Sequence, residues 1–193
     1  MKKVSKHITI LIITIFSVVG LFSPFSSSVN AKEGIALNNV NEEESMMETA
    51  EQLSTYFELD QNGNIIFNVD QNTLVKELGI SQEDAALMIG ASEELSRENV
   101  GSQIQARGFV GIYLNLGPKV RKMNGWAAGA FAGGYVGWYA KNFAVNPVTA
   151  GVAALITGAT TLTVKNAVER GIRRVSLGRN IGGYSWSFNV NIP

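Results

Sequence analysis

The sequence predicts a mainly helical α+β fold, and three observations lead to this prediction. A turn signal between two short apolar runs indicates a β-hairpin, and helix-capping residues recur through the first half of the chain. In the second half, a glycine- and alanine-rich apolar stretch has helical spacing and is flanked by strand-like segments. We therefore expect a small acidic α+β N-terminal domain followed by a Gly/Ala-rich apolar helical hairpin bracketed by short strands.

Residues 1–31 have the pattern of a secretory signal peptide. A basic start precedes an apolar run from Ile8 to Phe22, and Val29-Asn30-Ala31 has the small-x-small spacing of a cleavage site. The apolar run is short for a bilayer span, which favours cleavage over an uncleaved N-terminal anchor. The sequence thus predicts a secreted protein whose mature chain begins at Lys32 and acts outside the cell or in association with a membrane.

The missing residue types restrict the chemistry of the mature chain. The sequence contains no cysteine, and its only histidine, His7, lies in the predicted signal peptide. A Ser-His-Asp triad, a Cys-His pair and a histidine zinc site are therefore excluded. Two carboxylates would suffice for glycoside hydrolysis, but the acids lie on predicted helix surfaces, where solvation accounts for them. We expect no enzymatic activity, no catalytic residue, no cofactor and no metal.

Charge divides the mature chain into two halves. Residues 32–106 hold fifteen acids and three bases, whereas residues 107–193 hold ten bases and one acid. Such asymmetry indicates two partners of opposite sign, one half that neutralises the other, or two domains that merely differ in charge. We place the domain boundary between 106 and 107, and expect the polar segment 98–107 to be a linker and a proteolytic site.

The acidic half begins with a segment of weak periodicity, residues 32–41, for which we expect flexibility. A helix is expected from Glu43 to Leu53. Two short strands then flank Asn62-Gly63, a dipeptide that tolerates the positive φ angles of a tight hairpin turn.

Two further helices are predicted from their capping residues. Asp70 is a suitable N-cap for a helix that ends at Gly79. Ser81 and Asp84 have the spacing of a capping box, which predicts a helix that reaches about Arg97.

The central feature of the basic half is a run of glycines at every fourth position. These glycines are Gly125, Gly129, Gly133 and Gly137. In a helix they fall on one face, opposite bulky aromatic residues. Each interior glycine costs up to about 1 kcal/mol relative to alanine, so close packing against another helix must offset this loss. We therefore expect these glycines to mediate helix packing or self-association.

A second helix supplies the expected partner. Asn146 and Pro147 form a turn that ends one helix and caps the next. The following segment, Val148 to Val164, contains no charge. Its small residues repeat at the spacing of the first helix, at Ala150, Ala154 and Gly158.

Aromatic and basic residues lie at the ends of this hairpin, as at a membrane interface. The aromatic residues expected at the interface are Trp126, Trp138 and Tyr139. The bases expected to meet anionic headgroups are Lys165, Arg170, Arg173, Arg174 and Arg179. Apolar helices of this kind require burial, which either lipid or the core of a compact domain provides. We favour lipid. Because residues 125–140 are too short to cross the hydrocarbon core, the first helix would extend past Lys141, the hairpin would lie in one leaflet, or the bilayer would thin.

Two strand-like segments bracket the hairpin. Gly108 to Pro118 is short, apolar and rich in β-formers, and residues 181–192 alternate between apolar and polar side chains. If these segments pair, the basic half has the order β-α-α-β.

This arrangement resembles the precursors of secreted Gram-positive bacteriocins and sporulation-delaying toxins. The resemblance rests on GWAAGAFAGGYVGWYA and on the apolar run after Asn146-Pro147, behind a signal peptide and an acidic leader. It implies a membrane-active antimicrobial protein or its precursor, anionic bacterial membranes as the target, self-association, and an immunity protein as a partner. The alternative is a non-lytic exported binding or structural protein whose hairpin is a buried soluble core. We expect no nucleic-acid partner, because the bases flank apolar helices and the chain is exported.

Overall fold

The computed structural model describes residues 33–95, 100–104, 109–143, 147–180 and 186–193. The mainly helical α+β class predicted from the sequence is confirmed. The chain divides into two compact units, Met1–Leu37 and Asn38–Pro193. The predicted signal peptide, residues 1–31, lies outside the described residues, as does Asn146 of the predicted turn.

Residues 33–95 of the acidic half form three helices and a hairpin. Its elements are α1 (Glu33–Ser54), β1 (Phe57–Leu59), β2 (Ile65–Phe67), α2 (Gln71–Lys76) and α3 (Gln82–Ser92). The two strands pair antiparallel, and Gly63 in their turn has a φ of 79°, which glycine adopts without steric cost. Helix α1 begins at Glu33, so the segment 32–41 that we expected to be flexible is helical from that residue onward.

Local hydrogen bonds place the helix starts where their capping residues predict them. The Asp70 carboxylate accepts hydrogen bonds from the amide and the hydroxyl of Thr73, each at 3.0 Å, and these bonds lower the pKa of Asp70. The amide of Asp84 donates to the Ser81 hydroxyl over 3.1 Å. Helix α3 ends at Ser92, short of the predicted Arg97.

The basic half contains a helical hairpin and three strands of a four-stranded sheet. The elements from residue 100 onward are β3 (Val100–Ile104), which lies at the end of the acidic half, and then β4 (Phe109–Leu116), a 3₁₀ turn (Val120–Lys122), α4 (Gly125–Phe143), α5 (Pro147–Glu169), β5 (Arg174–Asn180) and β6 (Trp186–Ile192). The strand order is β3-β6-β4-β5. The predicted linker, residues 98–107, contains β3, which pairs antiparallel with β6.

The C-terminal strand pairs with β4, but the two strands are parallel. The reason is an additional strand: after the hairpin the chain returns as β5, antiparallel to β4, and then turns back as β6 on the other side of β4. Within residues 107–193 the described elements therefore follow the order β-α-α-β-β, preceded by β3 at the end of the acidic half, and the α4–α5 hairpin connects two antiparallel neighbours.

One hydrophobic core runs through both halves of the 38–193 unit. The inner face of the sheet contributes buried residues such as Leu114 and Val190, and the acidic half contributes Leu53, Phe57 and Met88. The change of charge at 106/107 thus falls within a compact unit that has a shared core.

Candidate functional site

The glycine spine, defined as Gly125, Gly129, Gly133 and Gly137 of α4, lies against α5. A β-carbon added to Gly129 would lie 2.6 Å from the carbonyl oxygen of Thr161, and one added to Gly133 would lie 2.7 Å from the Thr161 hydroxyl oxygen. Both distances are shorter than van der Waals contact. The backbones of α4 and α5 therefore approach closely because these positions have no side chain.

Helix α1 of the acidic half covers α4 from another side. The Met46 sulfur would lie 2.8 Å from a β-carbon on Gly129, and the Ala50 β-carbon would lie 3.1 Å from one on Gly133. Gly134 is part of the same contact, since a β-carbon there would meet the Leu53 β-carbon at 2.8 Å. Sequence spacing missed Gly134 because it interrupts the four-residue period. The sequence feature that indicates a close contact at Gly134 is the adjacent pair Gly133-Gly134.

The α5 side of the interface differs from the predicted small-residue face. The side chains of Thr157, Thr161, Lys165 and Glu169 approach the spine, again at every fourth position. Gly158 has open space within 4 Å of its would-be β-carbon, so it does not contribute to this contact. The side chains of Ala150 and Ala154 lie outside the described part of the structure, and Pro147 is the first residue of α5.

The predicted interfacial aromatics pack against protein. Trp126 and Trp138 are half-buried against the hydrophobic core. The Trp138 ring stacks on Tyr135 at 6.3 Å between centroids, and lies 6.2 Å from the Phe57 ring of the acidic half. Tyr139 is also half-buried, and this burial raises its pKa to about 12.

Tyr135 is the polar exception within this aromatic cluster. Its side chain is fully buried, and its hydroxyl has no hydrogen-bond partner among the described residues. Burial raises the pKa of Tyr135, because the phenolate would lose the solvation that water gives it. The surroundings of the Tyr135 hydroxyl are therefore apolar and disfavour ionisation of this side chain.

The predicted headgroup-binding bases divide between two environments. Lys165 forms an ion pair with Glu42 of α1 at 2.9 Å, and this hydrogen-bonded contact raises the pKa of Lys165. Arg170, Arg173 and Arg174 are exposed, and Arg174 is the first residue of β5. The side chain of Arg179 lies outside the described residues.

Polar contacts connect the acidic and basic halves at the edge of the shared core. Besides the Glu42–Lys165 pair, Lys119 pairs with Glu94 at 2.8 Å and donates a hydrogen bond to the carbonyl oxygen of Gly90 in α3. Partly exposed surface pairs of this kind contribute little stability individually, about 0–1 kcal/mol. The shared hydrophobic core, which includes residues of α1 and α4, contributes to the attachment of the halves as well.

The outer face of the sheet carries an ordered group of polar side chains around one aromatic ring. We call this group the amide–aromatic patch: Tyr113, Asn115, Arg174, Ser176, Asn189 and Asn191. The Arg174 guanidinium carbon lies 4.9 Å from the centre of the Tyr113 ring, and an Arg174 nitrogen donates to the Asn189 side-chain oxygen over 3.3 Å. The Asn115 amide donates to the Asn191 side-chain oxygen over 2.7 Å.

A search of the described residues for clustered metal-ligating side chains finds none. Within residues 33–95, 100–104, 109–143, 147–180 and 186–193, no three His, Cys, Asp or Glu side chains come together as metal ligands. None of the helices in those ranges has both the length and the apolar character needed to cross a membrane. Comparisons of the chain with protein-family models, with curated protein sequences and with solved structures give no match.

Proposed function

We propose that this chain is an exported binding protein whose glycine-rich hairpin is its buried core and whose ligand surface is the outer face of the sheet. Export rests on the signal-peptide pattern of residues 1–31. The single observation that supports the binding-protein function is that other helices of the same chain cover the glycine spine. Helices α1 and α5 both approach α4 so closely that a β-carbon on Gly129 would overlap each of them.

The reasoning follows from what a glycine-rich helix needs. The four glycines of the spine lower the intrinsic stability of α4 by up to about 1 kcal/mol each, and close contact in a dry environment must compensate. In the folded chain, the contacts with Thr161, Met46 and Ala50 supply that compensation inside the protein. These contacts support burial in a protein interior as the dry environment that the glycine-rich pattern requires.

Secretion and vesicle leakage test this proposal together. We expect mass spectrometry of the secreted protein to detect an intact chain from Lys32 to Pro193, and this chain to leave dye-loaded phosphatidylglycerol vesicles intact. A secreted fragment that begins near Gly108, or dye release by the intact chain, would contradict the proposal.

One observation favours a second candidate, a bacteriocin-like antimicrobial precursor. The acidic helix α1 covers the same glycines that would insert into a membrane, and its Glu42 pairs with Lys165 of the hairpin at 2.9 Å. In that case the acidic half is a mask, and cleavage within 98–107 frees a cationic hairpin that meets anionic lipid and self-associates. A dedicated immunity protein would then protect the producing cell.

The two candidates differ in what the separated basic half does. If the mask hypothesis holds, residues 107–193 produced alone should release dye from the same vesicles, while the full mature chain should not. Gly133→Leu in residues 107–193 should abolish this release, because a leucine prevents close helix contact at that position. If residues 107–193 do not release dye from the vesicles, the mask hypothesis fails and the binding-protein function is supported.

A further inference from the structure

We infer that the amide–aromatic patch binds an acidic polysaccharide. This inference rests on the proposed function, since it names the partner of the same outer sheet face. It adds a chemical class of ligand and the residues that would recognise it.

The register of the sheet arranges the patch as two short rows across three neighbouring strands. Asn115 of β4 lies opposite Arg174 of β5 and Asn191 of β6. One pleat further along β4, Tyr113 lies opposite Ser176 and Asn189. Because neighbouring strands are about 4.8 Å apart and alternate residues share a face, these six side chains form a compact grid.

Contacts within the grid hold its side chains in place before any ligand arrives. Asn115 is bonded to Asn191 over 2.7 Å, and Arg174 is bonded to Asn189 over 3.3 Å while it lies over the Tyr113 ring. The Phe109 ring supports Tyr113 from within β4, at 5.1 Å between centroids. A surface ordered in this way loses less conformational entropy when it binds a ligand.

Among the described residues, these contacts use only part of the hydrogen-bonding capacity of the patch. An asparagine side chain has two N–H donors and a carbonyl oxygen with two lone pairs. The Asn115–Asn191 bond uses one donor and one lone pair, and Arg174 uses one of its five N–H donors on Asn189. Closely spaced donors and acceptors of both kinds match a ligand with many hydroxyl groups.

The charge of the patch selects an acidic ligand. Arg174 is exposed, and its planar guanidinium can bind a carboxylate or sulfate with two parallel hydrogen bonds. Glu94 lines an adjacent depression together with Asn115 and Asn191, but Lys119 pairs with Glu94 at 2.8 Å. An anionic ligand at Arg174 would therefore lie near Glu94, but Lys119 already offsets the negative charge of Glu94.

An aromatic ring beside a cation is a suitable platform for a sugar ring that carries an acid. The C–H groups of a pyranose pack against an aromatic ring, whose face is electron-rich. The acid of the same sugar would then reach Arg174, which lies 4.9 Å from the centre of the Tyr113 ring. A protein partner fits less well, because binding faces for proteins are built around buried apolar anchors. The exposed large hydrophobic side chains of the described residues, Met47, Leu59, Ile66 and Ile172, all lie outside the patch.

The test uses the full mature chain and two polysaccharide probes. Polygalacturonate supplies a carboxylate on every sugar, and dextran is the neutral comparison. By calorimetry at 0.15 M salt, we expect polygalacturonate to bind about tenfold or more tightly than dextran. Equal binding of the two, no binding of either, or tighter binding of an oligothymidylate than of polygalacturonate would overturn the inference.

Variants separate recognition by the patch from general attraction to a basic protein. Arg174→Gln and Tyr113→Ala should each weaken polygalacturonate binding about tenfold, whereas Tyr113→Phe should retain it because the ring remains. Lys122→Gln is the matched control, since it removes an exposed base from the 3₁₀ turn outside the patch. A loss on Lys122→Gln as large as that on Arg174→Gln would overturn the inference. Thermal unfolding verifies the fold of each variant, and Arg174→Gln decides the test if Tyr113→Ala does not fold.

Vesicle leakage distinguishes the failure of this inference from failure of the proposed function. If the mature chain leaves vesicles intact but binds no polysaccharide, only the inference that the patch binds an acidic polysaccharide is contradicted. A mature chain that releases dye contradicts the binding-protein function on which the inference rests.

Discussion

Asn124 donates two hydrogen bonds to the carboxylate of Asp84, one from its backbone amide over 2.9 Å and one from its side-chain amide. Asp84 is buried, and it also accepts a hydrogen bond from the Ser81 hydroxyl at the start of α3. Asn124 in turn accepts a hydrogen bond from the Ala127 amide over 2.9 Å and so caps α4. One carboxylate therefore joins the first turns of two helices that belong to oppositely charged halves.

Asp84→Ala should destabilise the whole 38–193 unit. The variant removes both acceptors of Asn124 and one partner of Ser81, and a buried polar group left without a partner costs about 1–3 kcal/mol. Urea unfolding of the mature chain measures the loss. In a double-mutant cycle with Asn124→Ala, we expect a coupling of about 0.5–3 kcal/mol. Strictly additive losses would show that the two side chains act independently.

Alanine at two glycines should change stability in opposite directions. Gly129→Ala places a β-carbon 2.6 Å from the Thr161 carbonyl oxygen, and such overpacking typically costs about 1–3 kcal/mol. Gly158→Ala is the matched control, because it lies in a helix with open space around its would-be β-carbon. Here alanine should add up to about 1 kcal/mol through its helix propensity. Thermal unfolding of both variants checks the prediction, and equal shifts would contradict the interface.

Much of the local structure was predictable because it depends on neighbours in the chain. Asn62-Gly63 predicted the β1–β2 turn, Asp70 and Ser81 predicted the starts of α2 and α3, and Pro147 predicted the start of α5. In each instance a side chain or a φ angle satisfies backbone groups within a few residues. The spacing of the glycine spine likewise predicted a helix with one flat face.

The partners of that flat face were not predictable, because they depend on contacts distant in sequence. Nothing local to Gly134 indicates that Leu53 lies against it, and nothing local to Gly158 indicates that its would-be β-carbon has open space around it. Strand β5 was missed for a different reason. Its Arg174 was assigned to a cationic flank, although the alternation of Val175 and Leu177 with polar residues was the signal of a strand.

Tyr135→Phe should stabilise the protein. The Tyr135 hydroxyl is buried without a hydrogen-bond partner among the described residues, so its removal relieves a desolvation penalty of about 1–3 kcal/mol while the ring contacts with Phe57 and Trp138 remain. Urea unfolding should show a higher midpoint with an unchanged slope. The hydrophobic variant Tyr135→Leu is the comparison, because it also removes the hydroxyl but loses the ring packing. A lower midpoint for Tyr135→Phe would indicate that the hydroxyl has a partner.

Alkaline pH should destabilise the chain through the buried Tyr135 and the half-buried Tyr139. Burial raises the pKa of Tyr139 from 10.0 to about 12 and raises that of Tyr135 as well, so the folded state binds these protons more tightly than the unfolded chain does. Their contribution to stability is therefore complete below pH 10 and is lost as the pH rises toward about 12. Lys165 changes stability in the same direction, because its pKa is raised by Glu42 and its charge is lost at high pH. Urea midpoints at increasing pH, measured with tyrosinate absorbance at 295 nm, should fall above pH 10, and the fall should be less steep in Tyr139→Phe. A midpoint that stays constant while Tyr139 ionises near pH 10 would show that its ring is solvated in the folded protein.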